Sequence, residues 1–364
     1  MTAEARPQVR LIHETNPRKY FPAIFALARA GRVTIVGEHR YSVVKEWLRA
    51  GLRSRTPLRE RSSNAWNDLL LRVQLRSVEG ETVILGFAPW DWRLLIYARL
   101  IRRNRVIYHT SWQNWSRRHV PRTYGPVTAY LERVWISFLR SPEVRVVCVL
   151  PATALELRER FDIDSIVIPH GVPALFYEPR RVRTHAAKLR LLYVGELSRK
   201  KGVGKVLTLM RRLSDAPVSL TVVGDGPLRA EVQEATTSLP IDYEGHISDR
   251  QALADLMASH DVLVALSQRE DGWEELFGIA IVEAGATGLA VISSDHAGPR
   301  AVWGEALADQ LFSEDDLASV EAAIRAMAAD RRLVAKRAAD LASRIAQYHE
   351  DNVAEQWAKV LEAH

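Results

Sequence analysis

The sequence contains one cysteine, Cys148, and no long run of apolar residues. A single thiol cannot form an internal disulfide, and chains poor in cysteine are typical of reducing compartments. No stretch approaches the about 20 apolar residues that span a bilayer, and the polar start MTAEARPQVR does not resemble a secretory signal. We therefore expect the chain to reside in the cytoplasm.

Low-complexity tracts are also missing. Because 47% of the residues are hydrophobic, we expect the chain to be globular throughout. A length of 364 residues exceeds what one hydrophobic core usually serves. The sequence therefore predicts two domains.

Acidic residues are scarce in the first half of the chain. Residues 1–170 carry 28 Lys and Arg against 15 Asp and Glu, a net charge of +13, whereas residues 171–364 carry 22 against 29, a net charge of −7. Seven of the ten tryptophans lie in the basic half. This composition suits an anionic partner, namely a membrane surface, a lipid phosphate or a nucleic acid. Ordinary surface arginine without any partner is the alternative.

Part of this positive charge is interleaved with tryptophan and tyrosine. The arginines concerned are Arg99, Arg102, Arg103, Arg105, Arg117, Arg118 and Arg122. No helix-turn-helix, zinc-ligand or RNA-recognition pattern accompanies them, so no nucleic-acid partner is expected. We expect instead a peripheral contact with the inner face of an anionic membrane.

Short apolar strands alternate with helix-like segments along the chain. In the first half, residues 9–12, 33–37, 83–87, 105–108 and 144–149 have the character of buried strands, and Phe21–Ala30 that of a helix. In the second half, buried strands are predicted at 189–195, 219–223 and 261–267. This alternation predicts an α/β chain built from parallel βαβ units.

The most informative stretch is Ser267–Asp295, which predicts a loop, a helix and a strand. Glu275 lies on the loop, Gly278 permits a tight entry, and Ile279–Ala286 has helical composition. Glu283 follows Glu275 by eight residues, a little over two helical turns, and therefore lies inside the helix.

A helix start flanked by two carboxylates suits a nucleotide sugar. The unpaired N–H groups and the positive end of the helix dipole favour a phosphate, and carboxylates accept hydrogen bonds from hydroxyl groups on either side of it. The alternative is that Glu275 and Glu283 are ordinary surface residues. The apolar sequence around Glu283 argues against a solvated position.

This segment resembles the signature of the family-four glycosyltransferases of the GT-B fold, in which seven residues separate two glutamates. The Phe277–Gly278 step and the Glu283–Ala284 step also match, and the resemblance extends over residues 167–304. It implies two Rossmann-like, doubly wound domains facing a cleft. Residues 1–170 would be the acceptor side, residues 171–341 would bind the nucleotide sugar, and a terminal helix at 342–364 would cross back to the first domain.

The resemblance also implies the roles of individual residues. Lys201 would bind the donor diphosphate. Because Glu196 occupies the usual arginine position, either Arg199 supplies the arginine contact or that contact is absent. Glu275 would bind hydroxyls of the sugar and Glu283 those of the ribose. His109, at a strand end, would lie near the reacting carbon. His13, also at a strand end, is the alternative candidate for this position. Further donor contacts are expected from Phe277, Gly278, Ile279, Gly224, Gly226 and Pro227.

Several positions depart from the family pattern or leave alternatives open. The loop His13–Pro22 lacks paired glycines, although Arg18 and Lys19 could contact a phosphate instead. His170 replaces the asparagine of a Pro-Asn-Gly turn, which is the candidate hinge. The Asp162-Ile163-Asp164 sequence is interpreted as a connecting turn and not as a metal motif. Two loop tryptophans, Trp112 and Trp115, have three alternative roles: stacking on an acceptor sugar, lying at a bilayer interface, or packing in the core.

The function implied is retaining transfer of a hexose from a nucleoside-diphosphate sugar to a glycan or lipid-linked acceptor, as in the assembly of a cell-surface polysaccharide or glycolipid. No metal and no other cofactor is expected. One alternative is a sugar-nucleotide hydrolase or epimerase of the same fold. Another is a non-catalytic nucleotide-sugar-binding relative, which Glu196 and the missing glycine pair favour.

Overall fold

The computed structural model describes residues 6–14, 16–40, 66, 69–73, 75–112, 115, 125–178, 187–270 and 272–362. The chain divides into two compact units. Unit 1 comprises Met1–Gly171 together with Glu350–His364, and unit 2 comprises Val172–His349. Among the described residues, no helix combines the length and the apolar character needed to cross a bilayer.

Unit 1 is built on a parallel sheet of six strands. They are β1 (Gln8–His13), β2 (Thr34–Arg40), β3 (Thr82–Gly86), β4 (Arg105–Thr110), β5 (Val144–Cys148) and β6 (Ile166–Val167). Their order across the sheet is β2-β1-β3-β4-β5-β6. The chain therefore runs from β1 to one side and then, from β3 onwards, to the other. Every residue of β3 is buried, as expected for a parallel strand covered on both faces.

Helices cover both faces of this sheet. They are α1 (Pro17–Tyr20), α2 (Pro22–Arg29), α3 (Leu94–Tyr97), α4 (Thr128–Leu139), α5 (Pro151–Phe161) and α13 (Glu350–Glu362). One core contains the aromatic side chains Trp90, Tyr108, Trp115 and Trp135. A second core lies between the sheet and the helices α2 and α13.

The helix that returns to unit 1 is shorter than the sequence indicated. We expected residues 342–364 to return, but residues 342–349 belong to unit 2 and only α13 packs in unit 1. The reason is that helix α12 (Arg331–Ile345) continues to Ile345, which packs closely on Gly285: an added Cβ there would lie 2.8 Å from Ile345 Cγ1. The boundary between the units likewise lies between residues 171 and 172, one residue later than expected.

Arg105, one of the arginines assigned to a basic surface, instead binds the end of α13. Its Nη1 donates to the carbonyl of Leu361 at 3.0 Å, and its Nη2 donates to the carbonyl of Val360. The last carbonyls of a helix generally lack donor partners within it, and a cation at a helix C-terminus also complements the dipole. Burial lowers the pKa of Arg105. Arg105 is therefore a structural residue.

The two loop tryptophans differ in their surroundings. Trp115 is fully buried, and its ring contacts Trp90 edge-on with centroids 5.4 Å apart. It is therefore part of the core and not an acceptor platform. Trp112 is half-buried, and its carbonyl accepts from Trp115 Nε1 at 2.9 Å. The nearby Arg117, Arg118 and Arg122 lie outside the described residues.

Unit 2 is a second parallel sheet. Its strands are β7 (Leu189–Val194), β8 (Val218–Val223), β9 (Ile241–Gly245), β10 (Val262–Ala265) and β11 (Ala290–Ser293). They lie in the order β11-β10-β7-β8-β9. The chain direction across the sheet reverses between β7 and β10. In open parallel sheets, ligands bind at such a reversal, beyond the carboxyl ends of the strands.

Seven α-helices pack in the described part of unit 2. They are α6 (Val203–Arg212), α7 (Arg229–Ala235), α8 (Arg250–Ala258), α9 (Ile279–Ala286), α10 (Ala297–Trp303), α11 (Leu317–Ala329) and α12. The bounds of α9 are those predicted from sequence. Each unit is thus a Rossmann-like, doubly wound domain, as predicted.

Candidate functional site

The carboxyl-end loops of unit 2 are held together by backbone hydrogen bonds. The Leu197 N–H donates to the carbonyl of Asp225 at 3.1 Å, and the Leu228 N–H donates back to Leu197 at 2.9 Å. The predicted Gly224-Asp225-Gly226-Pro227 turn therefore lies against the loop that follows β7. Gly224 requires its glycine, because its φ is 146° and an added Cβ would lie 1.8 Å from the Gly195 carbonyl oxygen.

The basic turn after β7 lies against the end of β10. Gly202 has a φ of 72°, and a Cβ there would lie 1.6 Å from the carbonyl oxygen of Leu266. Only glycine permits this approach. Because Ser267 begins the loop that carries Glu275, the contact brings Lys201 and Glu275 to the same place.

Lys201 and Glu275 form an ion pair, although 74 positions separate them in the chain. The Lys201 Nζ donates to Glu275 Oε2, and the Ser267 hydroxyl donates to the same oxygen at 3.3 Å. The Trp273 ring lies beneath the ammonium, with its centroid 5.0 Å from Nζ. The two side chains are 27% and 16% exposed, so both remain accessible to a ligand.

The other cations of this turn have different partners. Lys200 pairs with Glu196 at 3.2 Å, and Lys205 Nζ donates to the Glu314 carbonyl. Arg199 is exposed, and within the described part of the chain its guanidinium has no ion-pair partner. Arg199 is therefore the cation of this turn that is available to an incoming anion without breaking an existing pair.

The first turn of α9 presents backbone N–H groups at the same edge of the sheet. Gly278 caps the helix with a φ of 73°, and its carbonyl accepts from Ile281 N at 2.8 Å. Among described residues, the N–H groups of Gly278, Ile279 and Ala280 have no acceptor. By contrast, the ring of Phe277 is buried against Tyr348, with centroids 5.5 Å apart. The ring of Phe277 thus packs within unit 2.

Glu283 is buried inside α9, where its side chain is 3% exposed. The Arg250 Nη2 donates to Glu283 Oε1, and the Arg250 guanidinium carbon lies 4.7 Å above the centre of the Phe176 ring. Arg250 was not predicted from sequence. The apolar composition around Glu283 implies that a buried carboxylate needs a cation, but it does not indicate which of the arginines supplies it.

His109 lies in unit 1, at the carboxyl end of β4, and is 4% exposed. Its ring lies 4.8 Å from that of Phe21 and 5.5 Å from that of His170. Burial, followed by the neighbouring His170 and His13, holds the pKa of His109 well below the usual range. His109 is therefore a neutral imidazole at physiological pH. His13, its rival, stacks on Tyr20 with centroids 4.5 Å apart.

The loop without paired glycines has its cations engaged within unit 1. Arg18 forms a two-pronged ion pair with Glu38, with distances of 3.0 and 2.6 Å. Lys19 Nζ lies 5.7 Å from the centre of the Tyr20 ring. Any contact of Arg18 with a phosphate would therefore compete with Glu38.

The Asp162-Ile163-Asp164 sequence ends helix α5. Asp162 adopts a left-handed conformation as its C-cap, with a φ of 51°, and Arg158 pairs with Asp164 at 2.5 Å. The structure thus agrees with the interpretation of this sequence as a turn.

The comparisons with known proteins agree with this geometry. Residues 178–350 match the family model of the glycosyl transferases group 1. The matched range covers almost all of unit 2. The resemblance seen in the two-glutamate signature is therefore confirmed, and placement among the family-four enzymes is consistent with it. Every site residue of unit 2 described above lies inside the matched range.

Individual curated proteins match part of the chain. A GDP-mannose-dependent alpha-(1-6)-phosphatidylinositol dimannoside mannosyltransferase of Mycobacterium tuberculosis is 38% identical over 150 residues, which cover 38% of each chain. A phosphatidyl-myo-inositol mannosyltransferase of Mycolicibacterium smegmatis is 31% identical over 219 residues, 56% of this chain and 53% of that one. The match thus spans about half or less of these relatives.

A solved structure resembles almost the whole chain. Sucrose-phosphate synthase from Thermosynechococcus elongatus superimposes with a TM-score of 0.68 at 18% identity, covering 98% of each chain. At this identity the likeness concerns the fold alone. The chain has the GT-B fold, as the two-glutamate signature implied.

Proposed function

We propose that the protein is a retaining glycosyltransferase that transfers a hexose from a nucleoside-diphosphate sugar to a glycan or lipid-linked acceptor. The observation that carries this proposal is the Lys201–Glu275 pair beside the first turn of α9. It combines an ammonium, a carboxylate and three N–H groups without an acceptor among described residues. Phosphate oxygens and sugar hydroxyls are the groups that such a set binds together.

The diphosphate would be held by positive charge supplied by the protein. Breaking the bond between the anomeric carbon and the phosphate oxygen places negative charge on the departing diphosphate. Lys201, Arg199 and the N–H groups of Gly278 and Ile279 would stabilise that charge. We therefore expect transfer to proceed without a metal ion, so that addition of a chelator leaves its rate unchanged.

The two glutamates would bind the two sugars of the donor. Glu275 would accept hydrogen bonds from the transferred hexose and Glu283 from the ribose. In the structure both carboxylates are occupied by cations, Lys201 and Arg250. Donor binding would thus exchange these contacts for hydroxyl groups and, at Lys201, for phosphate. The neutral ring of His109 would contribute a hydrogen bond near the reacting carbon.

The choice of donor and acceptor is suggested by the relatives. The names of both describe mannosyl transfer to phosphatidylinositol lipids, and one names GDP-mannose as the donor. GDP-mannose is therefore the first donor to test, and a glycolipid is the first acceptor.

An exposed apolar surface in unit 1 supports contact with a membrane. We assign to this surface the exposed apolar side chains of three segments of unit 1, namely Trp66, Leu69, Val73, Trp92, Leu95, Val127 and Tyr130. Two hydrogen bonds join the segments that carry it. Arg72 Nε donates to the Tyr97 hydroxyl at 3.3 Å, and Trp135 Nε1 donates to the Asp91 carbonyl at 3.0 Å.

Exposed arginines in the same segments suit an anionic bilayer. Arg99 and Arg102 follow Leu95, and Arg133 follows Tyr130 one turn later. Interfacial tryptophans with nearby cations are typical of attachment to anionic lipid. We expect sedimentation with phosphatidylglycerol vesicles, reduced by Leu95→Ser. Leu333→Ser is the matched control, because both leucines are 40% exposed and Leu333 lies in unit 2. Equal sedimentation of the two variants would contradict this surface.

Thermal denaturation with a panel of GDP-, UDP- and ADP-sugars tests the donor site, because a ligand that binds only the folded state raises the midpoint. We expect a shift with GDP-mannose that Glu283→Ala abolishes. Transfer to the acceptor would follow, with the anomeric configuration of the product determined by NMR. No shift with any donor would overturn the proposed site, and an inverted product would overturn retention.

The charge reversal at Glu196 favours one alternative, a protein that binds the nucleotide sugar without transferring it. Glu196 pairs with Lys200 in the turn where the family pattern has arginine. Donor binding without turnover in the presence of glycolipid acceptors would support this alternative. Turnover without an acceptor would instead identify a hydrolase or an epimerase.

A further inference from the structure

The first turn of helix α10, with its cap residue His296, holds the backbone of Glu275 from both sides. The Glu275 N–H donates to Nδ1 of His296 at 3.0 Å. The Glu275 carbonyl accepts from the N–H of Gly298 at 2.9 Å. Both backbone polar groups of Glu275 are therefore fixed by residues two positions apart. Neither contact involves its carboxylate, which stays available to Lys201.

The close approach of this turn depends on Gly298. An added Cβ would lie 2.5 Å from the nitrogen of Phe277 and 2.6 Å from the carbonyl carbon of Leu276. The N–H of Ala297 also donates to Glu274 Oε2 at 3.2 Å. The helix turn and the glutamate loop thus pack directly against each other.

Only one neutral tautomer of the His296 ring can accept a hydrogen bond through Nδ1. Its side chain is fully buried, and its Nε2 lies 3.6 Å from Glu314 Oε2. Because Nδ1 accepts from Glu275, the proton of the neutral ring lies on Nε2, on the side of Glu314. Burial and then the Arg269 charge lower the pKa of His296, which favours this neutral form.

We infer that His296 is a positioning residue, whose Nδ1 fixes the Glu275 backbone so that the carboxylate faces Lys201 and the transferred sugar. This inference rests on the proposed function, because the role of Glu275 in sugar binding belongs to that proposal. A carboxylate on a loop must be held by its surroundings if it is to be preorganised for a ligand. His296 supplies that support without touching the donor.

Three variants distinguish the effect of losing the acceptor atom from the effect of changing the volume of the side chain. His296→Leu removes both nitrogens. His296→Asn places an acceptor oxygen near the position of Nδ1, whereas His296→Gln places its amide near that of Nε2. We expect kcat/KM for transfer to fall about tenfold in His296→Leu and His296→Gln, and to stay within about twofold in His296→Asn, since losing one hydrogen bond costs about that factor.

Ligand affinities distinguish positioning from general destabilisation. Because Glu275 would bind only the sugar, we expect His296→Leu to weaken GDP-mannose about tenfold and to leave GDP unchanged. Equal losses for the two ligands, or rescue by Gln and not by Asn, would overturn the inference. If wild-type protein binds no nucleotide sugar, the proposed function fails. Hydrogen exchange of the Glu275 amide then tests the contact with His296 separately.

Hydrogen–deuterium exchange reads the contact itself and needs no ligand. The Glu275 amide should exchange about tenfold faster in His296→Leu than in the wild type, and at the wild-type rate in His296→Asn. The amide of Leu263, in the middle of β10, is the internal reference for global stability. Unchanged exchange at Glu275 in His296→Leu would overturn the inference whatever the activity of the protein.

Discussion

Arg250 Nη2 donates to Oε1 of Glu283, although the two residues lie on different helices and 33 positions apart. The carboxylate is almost fully buried, whereas the Arg250 side chain is 41% exposed. Arg250 thus brings a solvent-facing cation to a carboxylate that α9 removes from water. This contact therefore compensates the negative charge of Glu283.

Removal of this cation should destabilise unit 2. We expect Arg250→Ala to lower the free energy of unfolding by about 1 kcal/mol, a modest value because half-exposed ion pairs are screened by solvent. Urea denaturation measures it. Arg211→Ala is the control, since Arg211 is an exposed arginine of α6. In a Glu283→Gln background the Arg250→Ala effect should shrink, and an undiminished effect would contradict the pairing.

The Lys201–Glu275 pair should matter for transfer and little for stability. We expect Lys201→Ala and Glu275→Gln each to lower kcat at least about 100-fold, as the loss of a group that stabilises developing charge does. Their thermal midpoints should stay close to that of the wild type, because both side chains are partly exposed. Lys200→Ala is the neighbouring control and should remain active. Full activity of Lys201→Ala and Glu275→Gln would remove the proposed site.

Two glycines at the start of α6, the cap residue Gly202 and the helical Gly204, should respond oppositely to alanine. An added Cβ at Gly202 would lie 1.6 Å from a carbonyl oxygen, whereas at Gly204 nothing lies within 4 Å. Gly202→Ala should therefore cost about 3 kcal/mol of unfolding free energy, through backbone strain and displacement of β10. Gly204→Ala, inside α6, should be neutral or stabilising by up to about 1 kcal/mol. Similar effects of the two variants in urea denaturation would contradict the close approach.

The sequence indicated the strands and α9 correctly because they depend on local pattern. Buried parallel strands are continuous apolar runs, and Gly278 followed by an apolar octet is a helix start. The residues that contact Glu275 and Glu283 could not be predicted from such local patterns. Arg250 reaches Glu283, and His296 reaches Glu275, across loops whose paths depend on tertiary packing, and neither residue type is unusual at its position.

Arg105 departs from the expected basic surface, and Trp115 takes the core position that was one of its alternatives. Both belong to a stretch whose composition suggested a basic, aromatic surface, yet Arg105 binds the end of α13 and Trp115 is fully buried. Composition records which side chains are present but not which face of an element they occupy. The exposed apolar surface instead includes Trp92 and Leu95, which precede the basic cluster.

The buried histidines of unit 1 should make its stability depend on pH. Burial lowers the pKa of His170 to about 4 and that of His109 well below its usual range, with Lys19 adding to the effect at His170. In the unfolded chain both return to about 6.5. Between those values the unfolded state binds more protons, so stability should fall as pH drops below about 6.5 and level off, for His170, near its folded value.

His170→Asn isolates one of these two contributions. The His170 Nδ1 lies 3.2 Å from the Tyr20 carbonyl, and an asparagine amide can donate to the same oxygen without titrating. We expect the loss of unfolding free energy between pH 7 and pH 5.5 to be smaller by about 1 kcal/mol in His170→Asn than in the wild type. Carboxylates titrate alike in both proteins, so their contributions cancel in the difference between the two unfolding free energies. Identical pH dependence in urea denaturation would mean that His170 is charged, or reached by water, in the folded protein.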